Sequence, residues 1–151
     1  MPKVIVSDTS CFIALAKIGA FEILKDLYQE IVTTTEVADE FGQKLPSWII
    51  LDTVKDLQKQ HMLEFQVDKG EASAITLALE LGADLIILDD FKARKVAQTL
   101  GLSVTGTLGI IVKAKKSGLI PSIKPILNNL QKTDFYLSKM VLKEALRLAG
   151  E

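Results

Sequence analysis

Leu85-Ile86-Ile87-Leu88-Asp89-Asp90 is a run of four large aliphatic residues followed at once by two acids. A run that is apolar at every position, rather than at alternate ones, has both faces covered, which is the pattern of a strand inside a parallel sheet flanked by helices. Nearer the start, Val4-Ile5-Val6-Ser7-Asp8 repeats the pattern with a shorter β-branched run that also ends in an acid. If the two strands are neighbours, both acids leave the sheet at its carboxyl edge, where open α/β sheets bind their ligands.

Outward from these strands, helix-like and strand-like segments alternate. A helix is expected from about Ser10, another over residues 21–28, a strand over 31–34, and a helix over 36–41 stopped by Gly42. Residues 49–51 suggest a strand, and 57–65 carry a weak helical pattern. Asp68-Lys69-Gly70-Glu71 opens a helix over 72–81 that Gly82 ends. Residues 91–100 are helical up to Gly101, 103–105 form one more short strand, and 107–117 make a helix stopped by Gly118. Two closing helices are expected over 121–130 and 138–149. This order predicts an α/β three-layer sandwich, a central parallel sheet flanked by helices. No internal repeat, low-complexity tract or Pro/Gly/Ser-rich linker interrupts it, so residues 1–151 are expected to form a single domain.

Composition narrows the function classes. A chain of 151 residues can bury roughly 68–70% of its unfolded surface in one core. Hydrophobic content of 48% with 25% charged residues fits an ordered globular protein. Eighteen basic against 19 acidic residues give a net charge of -1, which excludes a general positive field, so any polyanion must be held locally. Cys11, the one cysteine, lies in Cys11-Phe12-Ile13-Ala14-Leu15 and reads as a small buried hydrophobe rather than a reactive thiol. A disulfide framework or structural zinc site cannot be built from it. The segment Met1-Pro2-Lys3-Val4-Ile5-Val6-Ser7-Asp8 is too short in apolar residues for a signal peptide, and no run of 18 apolar residues occurs. No membrane association and a cytoplasmic location are the expectation.

The acids carry the chemistry. At ~4 Å and an effective dielectric near 20, two carboxylates repel by about 4 kcal/mol, so a cluster must be protonated or bridged by a cation. Oxygen-only ligation favours Mg²⁺ or Mn²⁺ over zinc, because the one histidine, His61, lies in a polar stretch and reads as a surface residue. That shortage also removes a Ser-His-Asp or Cys-His mechanism. No Gly-x-Ser-x-Gly elbow, Gly-x-x-x-x-Gly-Lys loop or Gly-x-Gly-x-x-Gly fingerprint is present. Each acid also has a local alternative. Asp8 can cap a helix starting at Thr9 or Ser10, and Asp89 or Asp90 can cap the helix that follows them. Asp68 with Glu71 has capping-box spacing, as does Thr33 with Glu36, while Glu40 alone would be a solvated charge. Spacing leaves these alternatives open.

Taken together the residues resemble the PIN-domain family, in particular small prokaryotic members related to the toxin nucleases of toxin-antitoxin pairs. The matching pieces, in family order, begin with Val4-Ile5-Val6-Ser7-Asp8-Thr9-Ser10, Thr35-Glu36-Val37-Ala38-Asp39-Glu40-Phe41 and Gly70-Glu71-Ala72-Ser73-Ala74-Ile75. Leu85-Ile86-Ile87-Leu88-Asp89-Asp90 with Lys92-Ala93-Arg94 comes next, then Val104-Thr105-Gly106-Thr107-Leu108-Gly109. The resemblance implies a Mg²⁺- or Mn²⁺-dependent endoribonuclease, with one or two ions, that hydrolyses phosphodiester bonds of single-stranded or structured RNA. Asp8, Glu40, Glu71 and Asp89 stand at the positions of the family's acidic quartet. It implies Asp8, Asp89 and Glu71 as metal ligands, with Asp90 a further ligand, a supporting group or only a cap. The family's hydroxyl near the acids corresponds to Thr9, Ser10 or Thr107.

Lys92, Arg94 and Lys95, immediately past the acidic doublet, are candidates for substrate contact and equally fit a solvated helix face; Lys113, Lys115 and Lys116 are more distant candidates. A toxin role would bring an antitoxin protein as partner. The apolar faces Leu142-Leu146 and Ile123-Ile126-Leu127-Leu130 either pack on the core or form a homodimer. Two competing readings remain to be weighed. A haloacid-dehalogenase-like phosphatase needs a second Asp two residues after the first, where Ser10 stands. A non-catalytic PIN-like module that binds RNA or protein would keep the acids as caps and would have no need of a metal.

Overall fold

The two aliphatic runs become the central pair of strands. In the structure, a computed structural model that describes residues 3–151, β1 (Ile5–Ser7) and β4 (Leu85–Ile87) lie side by side and parallel, with Ile5, Val6 and Ser7 opposite Leu85, Ile86 and Ile87. Met1 and Pro2, where the segment considered as a leader begins, lie outside the described residues. On the other side of β1, β2 (Ile31–Thr34) pairs with Val32 opposite Val6, and β3 (Ile49–Asp52) pairs with β2. β5 (Val104–Thr105) extends the sheet beyond β4. The order is β3-β2-β1-β4-β5 and every pairing is parallel. The chain winds outward from β1 through β2 to β3, then returns to the far side of β1, so its direction reverses between β1 and β4.

Helices fill the crossovers, as parallel pairing requires. They are α1 (Thr9–Lys17) and α2 (Glu22–Tyr28), α3 (Thr35–Phe41), α4 (Leu57–Leu63) and α5 (Lys69–Leu81), α6 (Phe91–Thr99), and α7 (Thr107–Lys116). α8 (Lys124–Gln131) and α9 (Lys139–Leu148) follow, with α9 packed on α7. α5 runs across β1, β2 and β4 with residues 70–78 buried, while α1, α2 and α7 pack together, which completes the α/β sandwich. Gly42 and Gly82 end α3 and α5 in the left-handed conformation, at φ 71° and 60°. Among the described residues no helix is long and apolar enough to cross a membrane. Ile123, Leu127 and Leu130 are buried in the core, and Leu142 and Leu146 pack against it.

Two local expectations change. The capping box assigned to Thr33 and Glu36 does not form: Thr33 is still inside β2 and donates its hydroxyl to the Ser7 carbonyl at 2.7 Å. The cap falls to Thr34, whose hydroxyl accepts from the Val37 N–H at 3.1 Å, while Glu36 accepts from the Thr35 hydroxyl at 2.7 Å. The helix expected over 121–130 starts at Lys124, because Pro125 has no N–H to give and its ring would clash with a carbonyl four residues back. Proline is accommodated only in the first turn.

One aromatic cluster holds α1, α2, α3 and the approach to β3. Phe12, wholly buried on α1, lies 5.5 Å from Phe21 and 5.9 Å from Phe41 between ring centroids, and Phe21 is 5.5 Å from Trp48. Replacing Phe12 removes the ring that touches both partners. Phe12→Ala is expected to lower stability by about 3–5 kcal/mol, read from the urea midpoint followed by Trp48 fluorescence.

Candidate active site

Ser7, the last residue of β1, pairs with Ile87, and the Asp8 N–H donates to the Ile87 carbonyl at 3.1 Å. The backbone of Asp8 is thereby fixed at the carboxyl end of β4, at the reversal point of the sheet. Asp8 takes the N-cap position of α1 but its side chain makes no capping hydrogen bond. It is only 3% exposed, and Oδ1 is buried without a hydrogen-bond partner. Burial, eased by the Thr9 backbone N–H and worsened by Glu71, Asp68 and Glu40, pushes its pKa from the ordinary 3.8 to about 8. The Thr9 hydroxyl is likewise buried and unpartnered.

Glu40 reaches the same place from α3, and Gly70 makes the approach possible. A methyl group on Gly70 would stand 3.0 Å from Glu40 Oε2 and 3.5 Å from Asp8 Oδ1, so both oxygens border one small volume above the first turn of α5. Glu71 is the next residue. It closes the capping box expected from spacing: Asp68 Oδ1 accepts from the Glu71 N–H at 2.8 Å, and Glu71 Oε1 accepts from the Asp68 N–H at 3.1 Å. The box engages Oε1 and leaves Oε2 outside it. Burial raises the Glu71 pKa from 4.5 to about 7, with Asp68, Asp90 and Glu40 adding to the rise and the Asp68 N–H opposing it.

Asp89 is held differently. Oδ1 accepts from the Thr107 N–H at 2.7 Å and Oδ2 from the Thr107 hydroxyl at 2.6 Å. Of the three hydroxyls considered, Thr107 is therefore the one that touches an acid; Ser10 lines a separate cleft with Ile13, Ala14 and Lys17. Burial raises the Asp89 pKa, against the two Thr107 bonds and the charge of Arg94. Asp90 is the cap of α6, its Oδ2 accepting from the Ala93 N–H at 3.0 Å. The doublet thus splits its two tasks between its members.

The basic residues separate as well. Arg94 turns back from α6, donating from Nη1 to the Leu88 carbonyl at 3.0 Å. A methyl on Gly106 would meet that Nη1 at 2.7 Å and Asp89 Oδ1 at 2.8 Å, so Arg94 braces the Asp89 loop instead of standing free. Lys92 is exposed, and Lys95 sits 5.0 Å over the Phe91 ring. Lys113 lies 4.8 Å over the Tyr28 ring, and Lys115 pairs with Glu151 at 3.2 Å. His61 is exposed on α4, and burial pushes the Cys11 thiol up, as suits an inert core residue. Sequence reasoning missed the steric role of Gly106 and the inward turn of Arg94. A glycine between a strand and a helix start was the available signal.

The acids stand in two groups about the reversal point, Asp8 with Glu40 and Glu71, and Asp89 with Thr107. Among the described residues no three His, Cys, Asp or Glu side chains close on one point as a preformed chelate. The donor set nevertheless suits a hard divalent cation. It is all oxygen, it includes a buried carboxylate oxygen with no partner, and burial raises the pKa of three of its acids.

A parallel sheet with acids gathered at its switch point defines the class of fold. A family model described as a PIN domain matches residues 4–151, and the chain belongs to that family, whose members are generally nucleases. No curated protein matches it.

Two outcomes follow from the geometry. Because folded Asp8 and Glu71 hold protons that the unfolded chain has released, metal-free stability falls as pH rises from about 4 to about 8 and levels off above. Asp8→Asn removes most of that slope, leaving the variant more stable than the parent at pH 8 by on the order of a few kcal/mol in urea melts with EDTA. Gly106→Ala, at a φ of -126° that any residue adopts, forces a methyl against Asp89 and Arg94 and is expected to cost about 1–3 kcal/mol in the same assay.

Proposed function

We propose that this PIN domain is a Mg²⁺- or Mn²⁺-dependent endoribonuclease that hydrolyses phosphodiester bonds in single-stranded or structured RNA. The observation that carries the reading is Asp8, a carboxylate buried at the sheet's reversal point with one oxygen unpartnered and its pKa raised to about 8. A helix cap would use that oxygen on a backbone N–H, and a salt bridge would bring a cation; Asp8 has neither cap bond nor ion pair among the described residues.

Asp8 and Asp89 would supply the principal anionic oxygens, with Glu71 through Oε2 and with Glu40 completing the set. When bound, a divalent ion acidifies water and neutralises charge on the phosphate. The chain's own contribution is positional. Thr107 fixes both Asp89 oxygens, Arg94 pins the loop before it, and the Asp68–Glu71 box fixes the start of α5. Glu71, with a pKa of about 7 in the metal-free protein, must give up the proton it holds there before Oε2 can serve a cation. Cleavage leaving 5′-phosphate and 3′-hydroxyl ends agrees with the resemblance.

With Mn²⁺ and a single-stranded RNA, Asp8→Asn is expected to lose at least roughly 100-fold of the cleavage rate, because a ligand is removed. Thr107→Val is expected to lose roughly 10–100-fold with a weaker Mn²⁺ midpoint, because Asp89 loses one of its two orienting bonds. EDTA abolishes cutting in all three proteins. An Asp8→Asn protein that cuts as fast as the parent would sink the proposal, and RNA binding with no products and no metal requirement would favour the non-catalytic module.

A further inference from the structure

Three aromatic side chains outside the acid site converge on one cleft. Phe91 opens α6, and Phe135 and Tyr136 lie in the connection between α8 and α9, yet all three line the same space of about 430 Å³, whose wall also includes Asp89 and Arg94. Phe91 is 72% exposed and Tyr136 is 85% exposed, so neither ring is spent on the core. The cleft is continuous with the acids through Asp89, which lines it and accepts from Thr107.

Building on the nuclease reading, we infer that this cleft is a base-stacking subsite, which holds unpaired bases of the single-stranded RNA next to the phosphodiester being cut. Its chemistry excludes a phosphate channel. The one guanidinium in it, Arg94, is engaged by the Leu88 carbonyl and lies beside Asp89, and the chain as a whole carries -1. Affinity must then come from contacts indifferent to charge. Aromatic rings provide them, because every base has a π-face, and such binding tolerates any sequence while rejecting a duplex whose bases are already stacked. The charge for the backbone lies on the other side of Phe91. Lys95 sits 5.0 Å over that ring and, with Lys92, lines the neighbouring groove rather than this one. A strand with bases against Phe91 and Tyr136 would pass its phosphates toward these lysines.

The test is equilibrium binding in Ca²⁺ of a labelled single-stranded RNA dodecamer, its duplex, and the same dodecamer with abasic residues, alongside Mn²⁺ cleavage of the first. Phe91→Ala and Tyr136→Ala are each expected to weaken single-strand binding about tenfold, as the loss of one stacked base does, and together about a hundredfold. Tyr136→Phe keeps the ring and should keep the affinity. Phe65→Ala, at a ring 90% exposed and outside the cleft, should change nothing. Abasic RNA should lose binding to the parent but little further in the double variant, and cleavage should show the loss in KM rather than kcat. Both rings are exposed, so thermal melts should match the parent.

Alanine variants that bind like the parent, abasic RNA that binds as well as intact RNA, or a duplex that binds as well as the single strand would each overturn the subsite and leave the cleft to an apolar peptide. The two readings fail separately. Ring- and base-dependent binding without products would leave the subsite standing and defeat the nuclease, whereas cutting with unaltered KM in both variants would do the reverse.

Discussion

A carboxylate kept from water must find something to answer its charge, and the arrangement around Asp8 follows from that demand. β1 is the middle strand of five, wholly buried, and the residue that leaves it is an acid with 3% exposure. Nothing in the core answers it. The chain instead brings further acids toward the same edge, from α3 and α5 on one side and from the end of β4 on the other. Burial raises the pKa values of Asp8 and Glu71, and the neighbouring acids add to the rise. Stability and ligand capacity are opposed in this corner, a trade found where a site stores unfavourable energy for a ligand to release.

Small residues and hydroxyls make that corner buildable. Gly70 and Gly106 stand where a side chain would strike Glu40, Asp8, Asp89 or Arg94, so the backbone itself forms the walls. Hydroxyls then tie the segments: Thr34 and Ser73 join α3 to α5 at 2.7 Å, Thr33 joins β2 to β1, and Thr107 joins α7 to the loop after β4. These bonds satisfy buried polar groups without adding charge, which a cluster already rich in carboxylates could not absorb.

Much of the fold was legible because the two central strands carry aliphatic runs and α3 and α5 end in glycine. The five strands and the helices between them fall close to where the sequence puts them, and even the weak pattern over 57–65 corresponds to α4. What stayed hidden depended on a single residue of register. Thr33 and Thr34 are chemically alike, so spacing could not say which of them caps α3. The acidic doublet was ambiguous for the same reason, and only the direction of the chain after Leu88 sends Asp89 to Thr107 and Asp90 to α6. The aromatic cleft left no local trace at all, since Phe91 and Tyr136 meet only through tertiary structure.

The reversal of the sheet also sets a timetable. β1 is made early, but its partner β4 lies 80 residues later, and Thr107, which orients Asp89, comes later still. A ribosome adding roughly 5–20 residues per second takes on the order of ten seconds to pass from Asp8 to Thr107. For most of that interval the growing chain holds Asp8 without Asp89, and for all of it Asp89 lacks Thr107. On the proposed ribonuclease reading, the acids would be complete only after most of the message has been read, which would spare the template for most of its own translation.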